Sequence, residues 1–107
     1  MTAMETLEFR FDSKPGARPA DPALCGVVGS GNLEILVQPG EQPGCCQVHI
    51  KTSARGFGTT WRAVLGDFAA SHPAGGTTIA INDMGATPAV VSLRLAQALA
   101  EYHGGAQ

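Results

Sequence analysis

The sequence predicts an α+β fold, a mostly antiparallel sheet of about five strands with two helices packed on one face. Two observations point there. The first half of the chain carries segments in which apolar and polar residues alternate, and the second half carries two apolar stripes at helical spacing with one more strand between them. The 107 residues are expected to form a single domain, 1–107, large enough to bury a sizeable core.

Each element has its own signal. "ETLEFRF" alternates Leu7, Phe9 and Phe11 with polar residues, the period of a half-buried strand. "DSKPGARPADP", residues 12–22, breaks it with three prolines and a glycine and reads as a loop. "ALCGVV" and "NLEILVQ" read as paired strands around a Gly-Ser-Gly turn, with Leu33, Ile35 and Val37 on one face. In "CCQVHIKTS", Val48 and Ile50 share a side and His49 and Lys51 take the other.

After "ARGFG", Thr59 or Thr60 is the expected N-cap of a helix whose stripe is Trp61, Val64, Leu65, Phe68 and Ala69. "HPAGG" ends it and "TTIAIND" is the next strand. Thr87 as N-cap and Pro88 as first helical residue then open a helix that buries Val91, Leu95, Ala98, Leu99 and Tyr102. Its expected exposed side is Arg94, Gln97 and Glu101, and Gly104-Gly105 stops it.

Composition excludes several function classes. Seven Lys and Arg against nine Asp and Glu, in no long run, lack the electrostatic footprint of nucleic-acid binding. No apolar run approaches the ~18 residues of a membrane span. The opening residues lack the basic and apolar regions of a secretory signal, so a cytoplasmic protein is expected. Cys25, Cys45 and Cys46 are an odd count without C-x-x-C spacing and read as reduced thiols. His49, His72 and His103 show no metal-binding spacing, so no metal is expected.

The residue that stands out is Ser30, between Gly29 and Gly31. It is not the serine of a nucleophile elbow, because Val28 and Asn32 stand where G-x-S-x-G needs glycines. Nor is the run a dinucleotide fingerprint, because Glu34 replaces the third glycine and a strand follows. A Walker loop would need a Gly-Lys-Ser or Gly-Lys-Thr that the chain lacks. What remains is an unactivated hydroxyl on bare backbone, suited to be the substrate of another protein's active site, or simply part of a turn. Asp83 and Asn82 read as loop-stabilising residues or as a partner contact, and Arg55 with Gly56 and Gly58 as a second stretch able to meet an anionic group.

The segments "METLEFRF" (Met4–Phe11), "VVGSGNLEILVQPG" (Val27–Gly40) and "INDMGATPAVVSLRLAQAL" (Ile81–Leu99), together with Trp61, resemble the acyl carrier protein, or delta subunit, of biotin-independent bacterial malonate decarboxylase. The resemblance covers nearly the whole chain. It implies a non-catalytic carrier phosphoprotein whose Ser30 is joined by a phosphodiester to 2'-(5''-phosphoribosyl)-3'-dephospho-CoA, with Gly29 and Gly31 beside it and the amides of Gly31 and Asn32 candidates to face the phosphate. The arm's terminal thiol would hold acetyl or malonyl, leaving the three cysteines uninvolved.

The implied partners are the transferase (alpha) and decarboxylase (beta and gamma) subunits, a prosthetic-group transferase and a malonyl transferase. Three other readings compete: a citrate lyase-type carrier, a small non-catalytic binding module in which Gly-Ser-Gly is only a turn, and a stand-alone serine hydrolase.

Overall fold

The computed structural model describes residues 4–16 and 26–104. Five strands and two helices follow one another as β1 (Glu5–Asp12), β2 (Gly26–Ser30), β3 (Leu33–Pro39), β4 (Cys45–Thr52), α1 (Gly58–Ser71), β5 (Thr77–Asp83) and α2 (Pro88–Tyr102). The expected α+β architecture is the one observed.

The strands lie in the order β1-β4-β5-β3-β2, and every pair is antiparallel except β4 with β5. That parallel pair follows from α1, which returns the chain to the start of β5 so that it runs alongside β4. Both helices pack on one face, α1 nearest β1 and α2 over β2 and β3. Register brings the apolar sets together in rows: Leu7, Ile50, Ile81, Ile35 and Val28 in one, and Phe9, Val48, Ile79 and Val37 in the next. Ile35, Ile50, Ile79 and Leu95 are fully buried, each worth about 1.5–3 kcal/mol relative to exposure.

The opposite face of the sheet stays open to solvent. Glu8, His49, Lys51, Glu34 and Asn82 lie there as the alternation predicts, and His49 Nδ1 stands 3.0 Å from Glu8 Oε1.

Three expectations need correction. Helix α1 is capped by the backbone of Phe57, with no side-chain cap, because Gly56 at φ +87° turns the chain early enough for Gly58 to begin the helix. Thr59 and Thr60 therefore sit inside the first turn. In the hairpin, the turn residues are Gly31 and Asn32; Ser30 is the last residue of β2 and pairs with Leu33. Arg94 is half-buried, and its Nη1 donates to Gln97 Oε1 at 2.8 Å.

Thr87 caps α2 as expected, its Oγ1 accepting from Val90 N at 3.3 Å. Of the 12–22 loop, Ser13 ties β1 to the end of α1, its hydroxyl donating to Ala69 O and accepting from Ala74 N. Residues 17–22 of that loop, and Cys25 with the rest of "ALC", lie outside the described residues.

Candidate functional site

The site is built at one end of the sheet. Register aligns Glu5, Thr52, Asp83, Leu33 and Ser30 in a single row across all five strands. Because β4 and β5 both finish in this row, the helices that follow them, α1 and α2, both begin at the same end. Ser30 lies two strands from Asp83, about 10 Å at the usual strand spacing.

Asp83 organises this end. It is 2% exposed, and its Oδ2 accepts from the buried hydroxyl of Thr52 at 2.8 Å. Its Oδ1 accepts from Ala86 N at 2.8 Å and Gly85 N at 3.2 Å, which shapes the loop leading into α2. Thr52 Oγ1 in turn accepts from Ala54 N at 3.1 Å, and Ser53 N donates to Asp83 O. One buried carboxylate thus braces the loops after β4 and after β5. The structural alternative among the two read for Asp83 is the one built here.

The same loop holds the hairpin. Met84 N donates to Asn32 O at 2.9 Å, so the turn beyond Ser30 is fastened to the Asp83 loop. Asn82 Nδ2 donates to Glu34 Oε1 at 3.1 Å on the open face. Arg55 is exposed, and the neighbouring Gly56 N donates to Glu5 Oε1 at 3.2 Å.

Gly29 and Gly31 behave differently from glycines that the fold requires. A Cβ on either would meet nothing within 4 Å, and neither has a left-handed φ. Gly75 is the contrast, where a Cβ would come within 2.4 Å of the carbonyl oxygens of Ser13 and Pro43.

Cys45, Cys46 and the three histidines are not gathered with Ser30. Cys45 and Cys46 open β4 at the other end, roughly 20 Å along the strand from Thr52. Burial pushes the Cys46 thiol up, partly offset by the hydroxyl of Thr77, which donates to its sulfur. His72 and His103 follow the C-terminal ends of α1 and α2, and His49 faces solvent beside Glu8. Among the described residues no group of three His, Cys, Asp or Glu is placed to hold a metal.

Sequence reasoning missed Thr52, Met84 and Phe57. Thr52 reads as one more polar strand residue until register puts it beside Asp83. Phe57 carried a usable signal, an aromatic between two glycines in a loop, and it is 51% exposed.

A family model described as malonate decarboxylase delta subunit (MdcD), an acyl carrier protein, matches residues 20–102. The chain belongs to the malonate decarboxylase delta subunit family. It is 59% identical over 103 residues to the malonate decarboxylase acyl carrier protein of Burkholderia cepacia, covering 94% of this chain and 92% of that one. It is 58% identical over 102 residues to the protein of the same name from Xanthomonas euvesicatoria pv. vesicatoria (strain 85-10), with 94% and 97% covered. The fold is also present among solved structures: a chain of a Pseudomonas malonate decarboxylase hetero-tetramer in complex with malonate superposes with a TM-score of 0.77. That chain is 35% identical, over 92% of this chain and 99% of its own length.

Proposed function

We propose that this chain is the acyl carrier subunit of a malonate decarboxylase and that Ser30 carries its prosthetic arm. The observation that supports Ser30 most is the pair of glycines beside it. A turn demanded by the fold would need them for a left-handed backbone or a close contact, and neither demand exists at Gly29 or Gly31. Their use is to leave both flanks of Ser30 clear for an enzyme that must close around it.

The open space beside Gly29 and Gly31 supports 2'-(5''-phosphoribosyl)-3'-dephospho-CoA as the group joined through a phosphodiester to Ser30. Once attached, that group supplies a thiol, and a malonyl thioester loses carbon dioxide far more readily than the free diacid. The chain's own residues do the mechanical work. Asp83 and Thr52 brace the end of the sheet, and Met84 fastens Asn32, which lies in the turn that follows Ser30. Tethering holds the acyl group at an effective concentration of roughly millimolar at each partner site.

The carrier does not itself perform the reaction. In this reading the partner subunits act on the acyl group and Ser30 serves only as its point of attachment. Its partners are the transferase and decarboxylase subunits, the prosthetic-group transferase and the malonyl transferase, in the cytoplasm. Among the described residues no helix is long and apolar enough to cross a membrane.

Reconstitution tests the proposal. The matured chain, mixed with the remaining subunits, should convert malonate to acetate and carbon dioxide, and Ser30→Ala should not. Equal turnover with Ser30→Ala would refute the assignment.

A further inference from the structure

The end of the sheet that bears Ser30 also holds a cavity of about 380 Å³ between the beginnings of α1 and α2. Small-molecule sites run from about 300 to 1,000 Å³. Trp61 and Val91 are buried beneath it, and Ala54, Gly85 and Ala86 make walls too small to fill it. Phe57 stands at the rim, half exposed. We infer that this cavity binds the acyl-pantetheine end of the arm carried on Ser30, sheltering the thioester between visits to the partner subunits. The inference rests on the assignment of the arm to Ser30.

Reach is the first argument. Asp83 lines the cavity and shares the end row with Ser30, about 10 Å away. The two places are also linked through the backbone, since Asn32 O accepts from Met84 N and the next residue, Gly85, lines the cavity. The second argument is complementarity. The lining is mostly apolar, and it includes Thr60 in the first turn of α1, which has no side-chain cap, and Ala54, the neighbour of exposed Arg55.

That combination suits a ligand with an apolar body and acceptor groups leading to an anionic stem. A small free diacid matches it poorly, since its carboxylates would meet a mostly apolar lining whose one charged residue is the carboxylate of Asp83.

The test uses the full unmodified chain and free S-acetylpantetheine as the probe. Trp61 is the only tryptophan, so its fluorescence reports the cavity directly, with backbone amide shifts as a map. A tether giving roughly millimolar effective concentration needs only a millimolar affinity for half occupancy. Expected is a saturable response in that range at Trp61, Thr60 and Ala86, removed by Ala86→Phe and weakened by Phe57→Ala, a rim change that leaves the core untouched.

No saturable response, or shifts only on the open sheet face, would overturn the inference. A cavity that responds to added partner subunits but not to the thioester would overturn it too, as a protein contact. Mass analysis of matured chain reads Ser30 separately. A modified Ser30 with a silent cavity overturns this inference alone. An unmodified Ser30 with a responsive cavity removes the tether and overturns the assignment on which it rests.

Discussion

Replacing Asp83 by alanine should loosen the whole Ser30 end of the sheet. The carboxylate is 2% exposed and accepts three hydrogen bonds, from Thr52 Oγ1, Gly85 N and Ala86 N. The Thr52 hydroxyl is fully buried and has no water to replace its partner, so losing that charge-assisted bond costs about 2 kcal/mol. The two loop amides lie nearer solvent and lose about 0.5 kcal/mol each. The sum, about 3 kcal/mol, corresponds to a fall of roughly 12 °C in Tm for a domain of this size.

Asp83→Asn keeps an acceptor for the loop amides and should cost about 1 kcal/mol. Thr52→Val should cost about 2 kcal/mol, because it strands Oδ2 and Ala54 N. Combined with Asp83→Ala it should fall short of additivity. Urea unfolding followed by circular dichroism measures the energies, and hydrogen exchange at the amides of Met84, Gly85 and Ala86 reads the loop. An Asp83→Ala variant within 0.5 kcal/mol of wild type, or one with unchanged exchange at Met84, would refute the bracing role.

Other expectations follow from the same geometry. Gly75→Ala should cost more than about 3 kcal/mol, since its Cβ has only backbone atoms to displace. Gly29→Ala and Gly31→Ala should leave the unfolding midpoint within experimental error yet slow attachment of the prosthetic arm. Iodoacetamide at pH 8 should label Cys45 well before Cys46 in the folded chain, read by peptide mass, because burial raises the Cys46 thiol. The same shift makes the folded state hold its proton more tightly than the unfolded one, so this contribution to stability is complete below the ordinary thiol value of 9.0 and fades as pH rises beyond it. Glu8→Gln should change stability by less than about 0.5 kcal/mol at pH 7, since its contact with His49 is exposed.

Local patterning made much of this fold legible. The alternation of Leu33, Ile35 and Val37 and the stripe of Val91, Leu95, Ala98 and Leu99 are written in neighbouring residues, and burial follows them. Thr87 with Pro88 is a local signal too, and it marks the start of α2. The parallel pairing of β4 with β5 depends on which distant segments meet, which periodicity does not encode. The start of α1 depends on a single glycine conformation at Gly56.

The candidate site divides the same way. Asp83 announced itself as a loop residue, whereas Thr52 acquires its role only through register across the sheet. The cavity draws Ala54, Trp61 and Ala86 from three separate segments, and no spacing links them. Ser30 stands out through its glycines, but Gly-Ser-Gly alone fits an ordinary hairpin; the chemical role proposed for it rests on the family likeness across the chain.

The measurement that bears most directly on that role is the intact mass of the chain produced together with its maturation enzymes, with the modified peptide mapped and Ser30→Ala run beside it. The account predicts an added mass equal to phosphoribosyl-dephospho-CoA on the peptide containing Ser30 and none on the variant. An unmodified wild-type chain, where a relative is modified by the same enzymes, would contradict it, as would an arm found on any other residue.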